Sequence, residues 1–157
     1  MNLNTETKKK QNTMNHVNLY ELKKIQTDFP KKKILSSKNS SEFIRQFYSD
    51  DIEIFESFFI LLLNRGNQTI GYSKISQGGI TGTVVDTKII AKYVVDSLAS
   101  AVILAHNHPS GTLKPSQADI SITHKIKTAL SFLDAEVLDH IILTKDDYYS
   151  FADNCIL

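Results

Sequence analysis

Six consecutive apolar residues, Phe58-Phe59-Ile60-Leu61-Leu62-Leu63, constrain this chain more than any other feature. The run is far too short to cross a membrane. It has no polar alternation, so neither face of the segment is meant for water. A strand inside a sheet covered on both sides meets that demand. Ala101–Ala105 is a second, shorter run of the same kind. Asn64-Arg65-Gly66-Asn67 reads as a turn, and Gln68–Ser76 as the returning strand of a hairpin. Val137–Leu143 and Tyr148–Phe151 close the chain as two further strands.

Helical spacing appears between these strands. Ile89, Ile90, Val94, Val95 and Leu98 recur at helical intervals after a capping Asp86. Ser116 starts a helix reaching about Phe132, with Ile120, Ile122, Ile126, Ala129 and Leu130 apolar. Ser40 or Ser41 can cap a short helix through about Tyr48. Gly78, Gly79 and Gly82 mark a loop. Strands and helices intermingle, which predicts an α/β sandwich. With 157 residues, 41% hydrophobic and 22% charged, one packed domain is expected.

The charge is uneven although the net is only +1. Residues 1–33 hold eight Lys against Glu6, Glu21 and Asp28, a net of +5, which leaves −4 for the rest. Residues 1–35 therefore read as a basic, flexible leader with weak order at most from Val17 to Leu35, and residues 36–157 as the folded domain. Such a leader can touch nucleic acid. Equally, it can be a solvated segment, since no aromatic residues interleave the Lys clusters as a base-stacking platform needs. The first twelve residues have no apolar core, so no signal peptide is expected and the default location is the cytoplasm. Cys155 is the single cysteine. It cannot form an internal disulfide or a thiolate zinc cluster, which excludes zinc fingers and ribbons.

The chemistry concentrates in Ala105-His106-Asn107-His108-Pro109-Ser110-Gly111, followed by Pro115-Ser116-Gln117-Ala118-Asp119. In extended backbone, residues i and i+2 point to one side, so both imidazoles can converge. Asp119 lies in the first turn of the following helix. Two His and one Asp leave one position of a tetrahedral zinc site open, which is the pattern of catalytic zinc. The same set also suits Fe(II). A metal-free reading exists for each part: hydrogen-bonded loop histidines, and a capping box at Ser116-x-x-Asp119. The H-E-x-x-H helix of zincins is absent. The zinc deaminase pattern is excluded, because no Glu follows two after His106 and no P-C-x-x-C exists. Cys155, three from the C-terminus, is a poor candidate nucleophile.

His106-x-His108, seven residues, then Ser116-x-x-Asp119 resembles the JAMM motif of the JAB/MPN metalloprotease superfamily. Gly82-Thr83, Ala101–Gly111, Leu138-Asp139-His140 and Ser150-Phe151 are similar to its RadC-like branch, in the short form without a helix-hairpin-helix domain. The resemblance covers about Ser40 to Leu157. It implies a three-layer α-β-α JAB/MPN sandwich with a mixed sheet like that of cytidine deaminases. It implies Zn2+ held by His106, His108 and Asp119, and a Ser116 hydroxyl that hydrogen-bonds the zinc water or the oxyanion. It also implies an upstream Glu just before the Phe-rich strand. Glu56 matches that position, with Glu53 as the backup. His140 is expected to be structural or to support a ligand, and His16 and His124 to lie on the surface. Asn64 stands where the family usually has Asp, and Thr87-Lys88-Ile89 where it has Pro-Arg-Glu; neither departure touches a metal ligand.

The activity implied is hydrolysis of a peptide or isopeptide bond in an unknown protein substrate. The alternative is a nucleic-acid-associated accessory protein, in DNA repair or on a mobile element, whose JAB domain binds metal and need not be catalytic.

Overall fold

The apolar run becomes strand β1 (Ser57–Leu63), buried along its whole length. The computed structural model describes residues 19, 21, 23–78 and 84–157. A turn at residues 64–67 returns the chain into β2 (Thr69–Gln77), antiparallel to β1. Helix α2 (Thr87–Ser97) then leads to β3 (Ala101–Asn107), and helix α3 (Gln117–Ser131) to β4 (Glu136–Leu143) and the short β5 (Tyr148–Ser150). The sheet order is β2-β1-β3-β4-β5. Only β3 and β4 are parallel, with α3 as their crossover.

Pleating sorts the core into two layers. Phe58, Ile60 and Leu62 of β1, with Val102 and Leu104 of β3, pack against Ile90 and Val94 of α2 and Ile126 and Leu130 of α3. The intervening Leu61, Leu63, Ile103 and Ala105 face Phe43 and Ile44 of helix α1 (Ser37–Arg45). The result is an α-β-α sandwich around a mixed sheet, as the sequence predicts. Among the described residues no helix is long and apolar enough to cross a membrane.

Two local expectations are corrected. Helix α1 is capped by Ser36, whose side chain accepts from Asn39 N, and it ends at Arg45 rather than near Tyr48. Ser40 and Ser41 lie buried inside the helix, and their hydroxyls donate to carbonyls three or four residues back. The segment before α1 is also better ordered than its lysines suggest. Lys33 bridges Gln68 at the start of β2, Ile34 is buried, and Phe29 meets Phe43, Phe47 and Tyr72 edge-on. Two apolar side chains among the lysines find an apolar face, and that outweighs the local charge. Most of the basic leader, with His16, lies outside the described residues, as do Gly79, Gly82 and Thr83.

Candidate metal centre

Strand β3 and the first turn of α3 build the site. His106 is the sixth residue of β3, and His108 follows it out of the strand with its N–H donating to Leu143 O at 2.9 Å. His106 is buried and stacks near Phe58 on the α2/α3 face. The loop after His108 turns at Gly111, which has φ +78 and donates its N–H to His108 O. That turn places Thr112 O 2.7 Å from His108 Nδ1.

Ser116 caps α3 with a full capping box. Its Oγ accepts from Asp119 N at 3.1 Å, and Asp119 Oδ2 accepts from Ser116 N at 2.6 Å. The box turns the Asp119 carboxylate back toward the helix start, where both imidazoles lie. His106 Nε2 and His108 Nε2 are 2.9 Å apart. Asp119 Oδ1 is 3.3 Å from His106 Nε2, and Oδ2 is 3.5 Å from His108 Nε2. The capping box is formed, and the same conformation leaves the Asp119 carboxylate beside both imidazoles.

Proton positions decide what this triangle is suited to. The Asp119 carbonyl can only accept, so the Thr123 hydroxyl, 2.5 Å away, donates to it. Thr123 Oγ1 then accepts from His140 Nδ1–H at 2.6 Å. Burial pushes His140 well below the usual imidazole range, so its ring is neutral and Nε2 carries a lone pair. That lone pair accepts from His106 Nδ1–H at 2.8 Å. With that proton on Nδ1, the other nitrogen of an imidazole, here His106 Nε2, is the one that can present a lone pair. Thr112 O fixes the proton of His108 on Nδ1 in the same way. Two lone pairs and a carboxylate then face one another, an arrangement suited to a cation or a shared proton.

The electrostatics agree. Hydrogen bonding to Asp119 raises His108 above its ordinary value against the opposing effect of burial. Burial pushes Asp119 up, but the facing His106 and His108 rings overcome it and hold the carboxyl well below the carboxylate range in the metal-free protein. Donors bound tetrahedrally at the ~2.0–2.1 Å typical of zinc lie about 3.3–3.4 Å apart. The two imidazole nitrogens are 2.9 Å apart, and each lies 3.3–3.5 Å from a different oxygen of Asp119, so the three side chains reach one point without a matched set of edges. The ligand atoms of His106, His108 and Asp119 all lie within 4.8 Å of one another and could hold a metal ion.

A family model described as the RadC-like JAB domain matches residues 34–156. The chain belongs to this family. Among curated relatives, the RadC-like domain is 46% identical over 125 residues to a UPF0758 protein of Flavobacterium johnsoniae, covering 80% of this chain and 54% of that protein. It is 43% identical over 103 residues to a UPF0758 protein of Porphyromonas gingivalis, covering 65% and 45%. It is 43% identical over 102 residues to UPF0758 protein YfjY of Escherichia coli, covering 65% and 64%. The chain thus spans about half the length of most curated relatives it matches.

The remaining candidates of the RadC-like domain separate clearly. Glu56 is half-buried, and its charge contributes to raising both His108 and Tyr48. The β1–β3 register pairs Phe58 with His106 at the end of the ladder, two residues after Glu56 and two before His108. Glu53 is exposed and pairs with Lys145 at 3.0 Å, toward the β4–β5 turn. His140 is fully buried behind His106, and His124 and Cys155 are exposed. Two residues carry roles that sequence reading did not assign. Thr123 lies one helical turn after Asp119, a spacing that sets both on one face of α3. Asn107 faces away from both histidines, as strand alternation requires.

Proposed function

We propose that this chain is a zinc-dependent hydrolase of the JAMM type that cleaves a peptide or isopeptide bond. The observation that carries the reading is the convergence of His106 Nε2, His108 Nε2 and an Asp119 carboxylate oxygen, with both imidazoles presenting lone pairs. His106, His108 and Asp119 would hold the ion, which would supply Lewis acidity and lower the pKa of a water at the site towards about 7. Glu56 takes a proton on its carboxylate from the attacking water and returns it to the leaving nitrogen as the C–N bond breaks. The Ser116 Oγ accepts from Asp119 N through a lone pair, which leaves its hydroxyl proton free to donate to the developing oxyanion. One such donor typically contributes about 3 kcal/mol, roughly a hundredfold in rate.

Metal content by elemental mass spectrometry, on wild type beside His106→Ala/His108→Ala, tests the site. About one zinc per chain, lost in the double variant, is expected. Chelator-free wild type that carries and takes up no divalent metal overturns the reading. With a cleaved substrate in hand, Glu56→Gln is expected to abolish turnover while leaving zinc bound.

A further inference from the structure

Asn107 stands between the two histidines and points the other way. His106 faces the α2/α3 layer, whereas Asn107 faces the α1 layer beside the segment that follows α1. The Asn107 side chain is fully buried. Its Nδ2 donates to Ile52 O at 2.6 Å and to Phe55 O at 2.8 Å, and its Oδ1 accepts from Ser57 N at 2.8 Å. All three partners are main-chain groups of residues 52–57, the segment that carries Glu56.

The chemistry of the match is specific. Two carbonyls and one N–H, gathered where β1 begins, match two donors and one acceptor on one planar group. An amide offers them. A carboxylate would set an oxygen against two carbonyls, and a hydroxyl offers a single proton. Two further bonds complete the hold: Gly78 N donates to Glu56 O at 2.8 Å, and the Tyr48 hydroxyl donates to Ser57 O at 3.0 Å. The main chain is thus fixed on both sides of Glu56, while its carboxylate takes no hydrogen bond from any described residue.

We infer that Asn107 is a positioning residue: by anchoring residues 52–57 to the strand that carries the histidines, it sets where Glu56 stands relative to His108. The consequence for Glu56 rests on the hydrolase reading above; the anchoring does not. One residue pair of β3 thereby serves two purposes, with His106 aimed at the ion and Asn107 holding the proton carrier.

Two readouts on the full chain test this with Asn107→Ala and Asn107→Ser. The first is amide hydrogen exchange of metal-free protein. Ser57 is expected to exchange at least about tenfold faster in Asn107→Ala, relative to Leu61 in the same strand, since a global loss of stability moves both amides together. The second is the pH midpoint of the visible spectrum of cobalt-loaded protein. Glu56→Gln is expected to move it, Asn107→Ala to move it in the same direction, and the double variant no further than Glu56→Gln alone. Asn107→Ser, with one donor left, is expected to fall between wild type and alanine, and it decides the matter if the alanine variant does not fold. Ser57 exchange that rises no more than that of Leu61 overturns the inference. So does a midpoint that Asn107→Ala leaves in place or moves equally with and without the Glu56 carboxylate. Wild type that takes up no cobalt, or a midpoint untouched by Glu56→Gln, overturns the hydrolase reading instead, and the exchange result then decides the anchor alone.

Discussion

His140 has no exposure to solvent, yet both its ring nitrogens are engaged, one with Thr123 and one with His106. It accepts the His106 proton on Nδ1 in a hydrogen bond, which leaves His106 Nε2 free to face Asp119. Removing the partner behind a metal-ligating imidazole typically costs 10–100-fold in affinity. His140→Ala is therefore expected to weaken zinc binding by about that factor in competition with a chromophoric chelator, and Thr123→Val by less. The pair facing the ion also predicts how metal-free protein responds to pH. His108 is raised above 6.5, so its contribution to stability is fully present below 6.5 and is lost as pH rises through the folded value. Asp119 is lowered below 3.8, so its contribution is present above 3.8 and is lost as pH falls. The melting temperature of chelator-treated protein is expected to fall from pH 6 to about pH 8, and Asp119→Asn to flatten that slope. Bound metal reverses the trend, because protons then compete for His108. The clustering of His106, His108 and Asp119 was legible in the sequence because an i, i+2 pair and a capping box are short-range patterns. Asn107 was not, because its partners lie some fifty residues upstream and only the folded register brings them to it.

At the scale of elements, the legible parts are those with one solution. The run Phe58–Leu63 has no polar residue to expose, and Asp86 and Ser116 each stand alone at the start of an apolar periodicity. Helix α1 is different, because Ser36, Ser37, Ser40 and Ser41 are all capable caps. What decides among them is tertiary: Ile34 is buried just before the helix, and Phe43 and Ile44 must reach the sheet, so the first turn starts at Ser37. Ser36→Ala is expected to cost about 1 kcal/mol in urea unfolding. Ser40→Ala, which removes only back-bonding to the preceding turn, is expected to cost less.

For the whole molecule, the folded unit reaches back past the boundary that charge alone suggests. Lys32 N donates to Thr69 Oγ1, Thr69 N to Lys32 O, and Ile34 N to Asn67 O, so this stretch runs along the outer edge of β2. Phe29 holds it down within a cluster of aromatic rings, where Phe47 stacks on Tyr72 at 3.9 Å. Charge counting over 33 residues could not see two apolar anchors. Phe29→Ala is expected to cost about 2 kcal/mol of global stability, measured by chemical denaturation, with metal content unchanged.

The pleat of β3 has a consequence for how errors in folding are detected. A slip of β3 by one residue against its neighbours would exchange its two faces. Both histidines would then turn toward α1, and the asparagine toward Asp119. No small adjustment repairs that, because the exchange carries Ile103 and Leu104 with it. If the site takes up metal, uptake would in this sense report the register: a slipped chain would lack the cluster of His106, His108 and Asp119 and would be expected to stay empty.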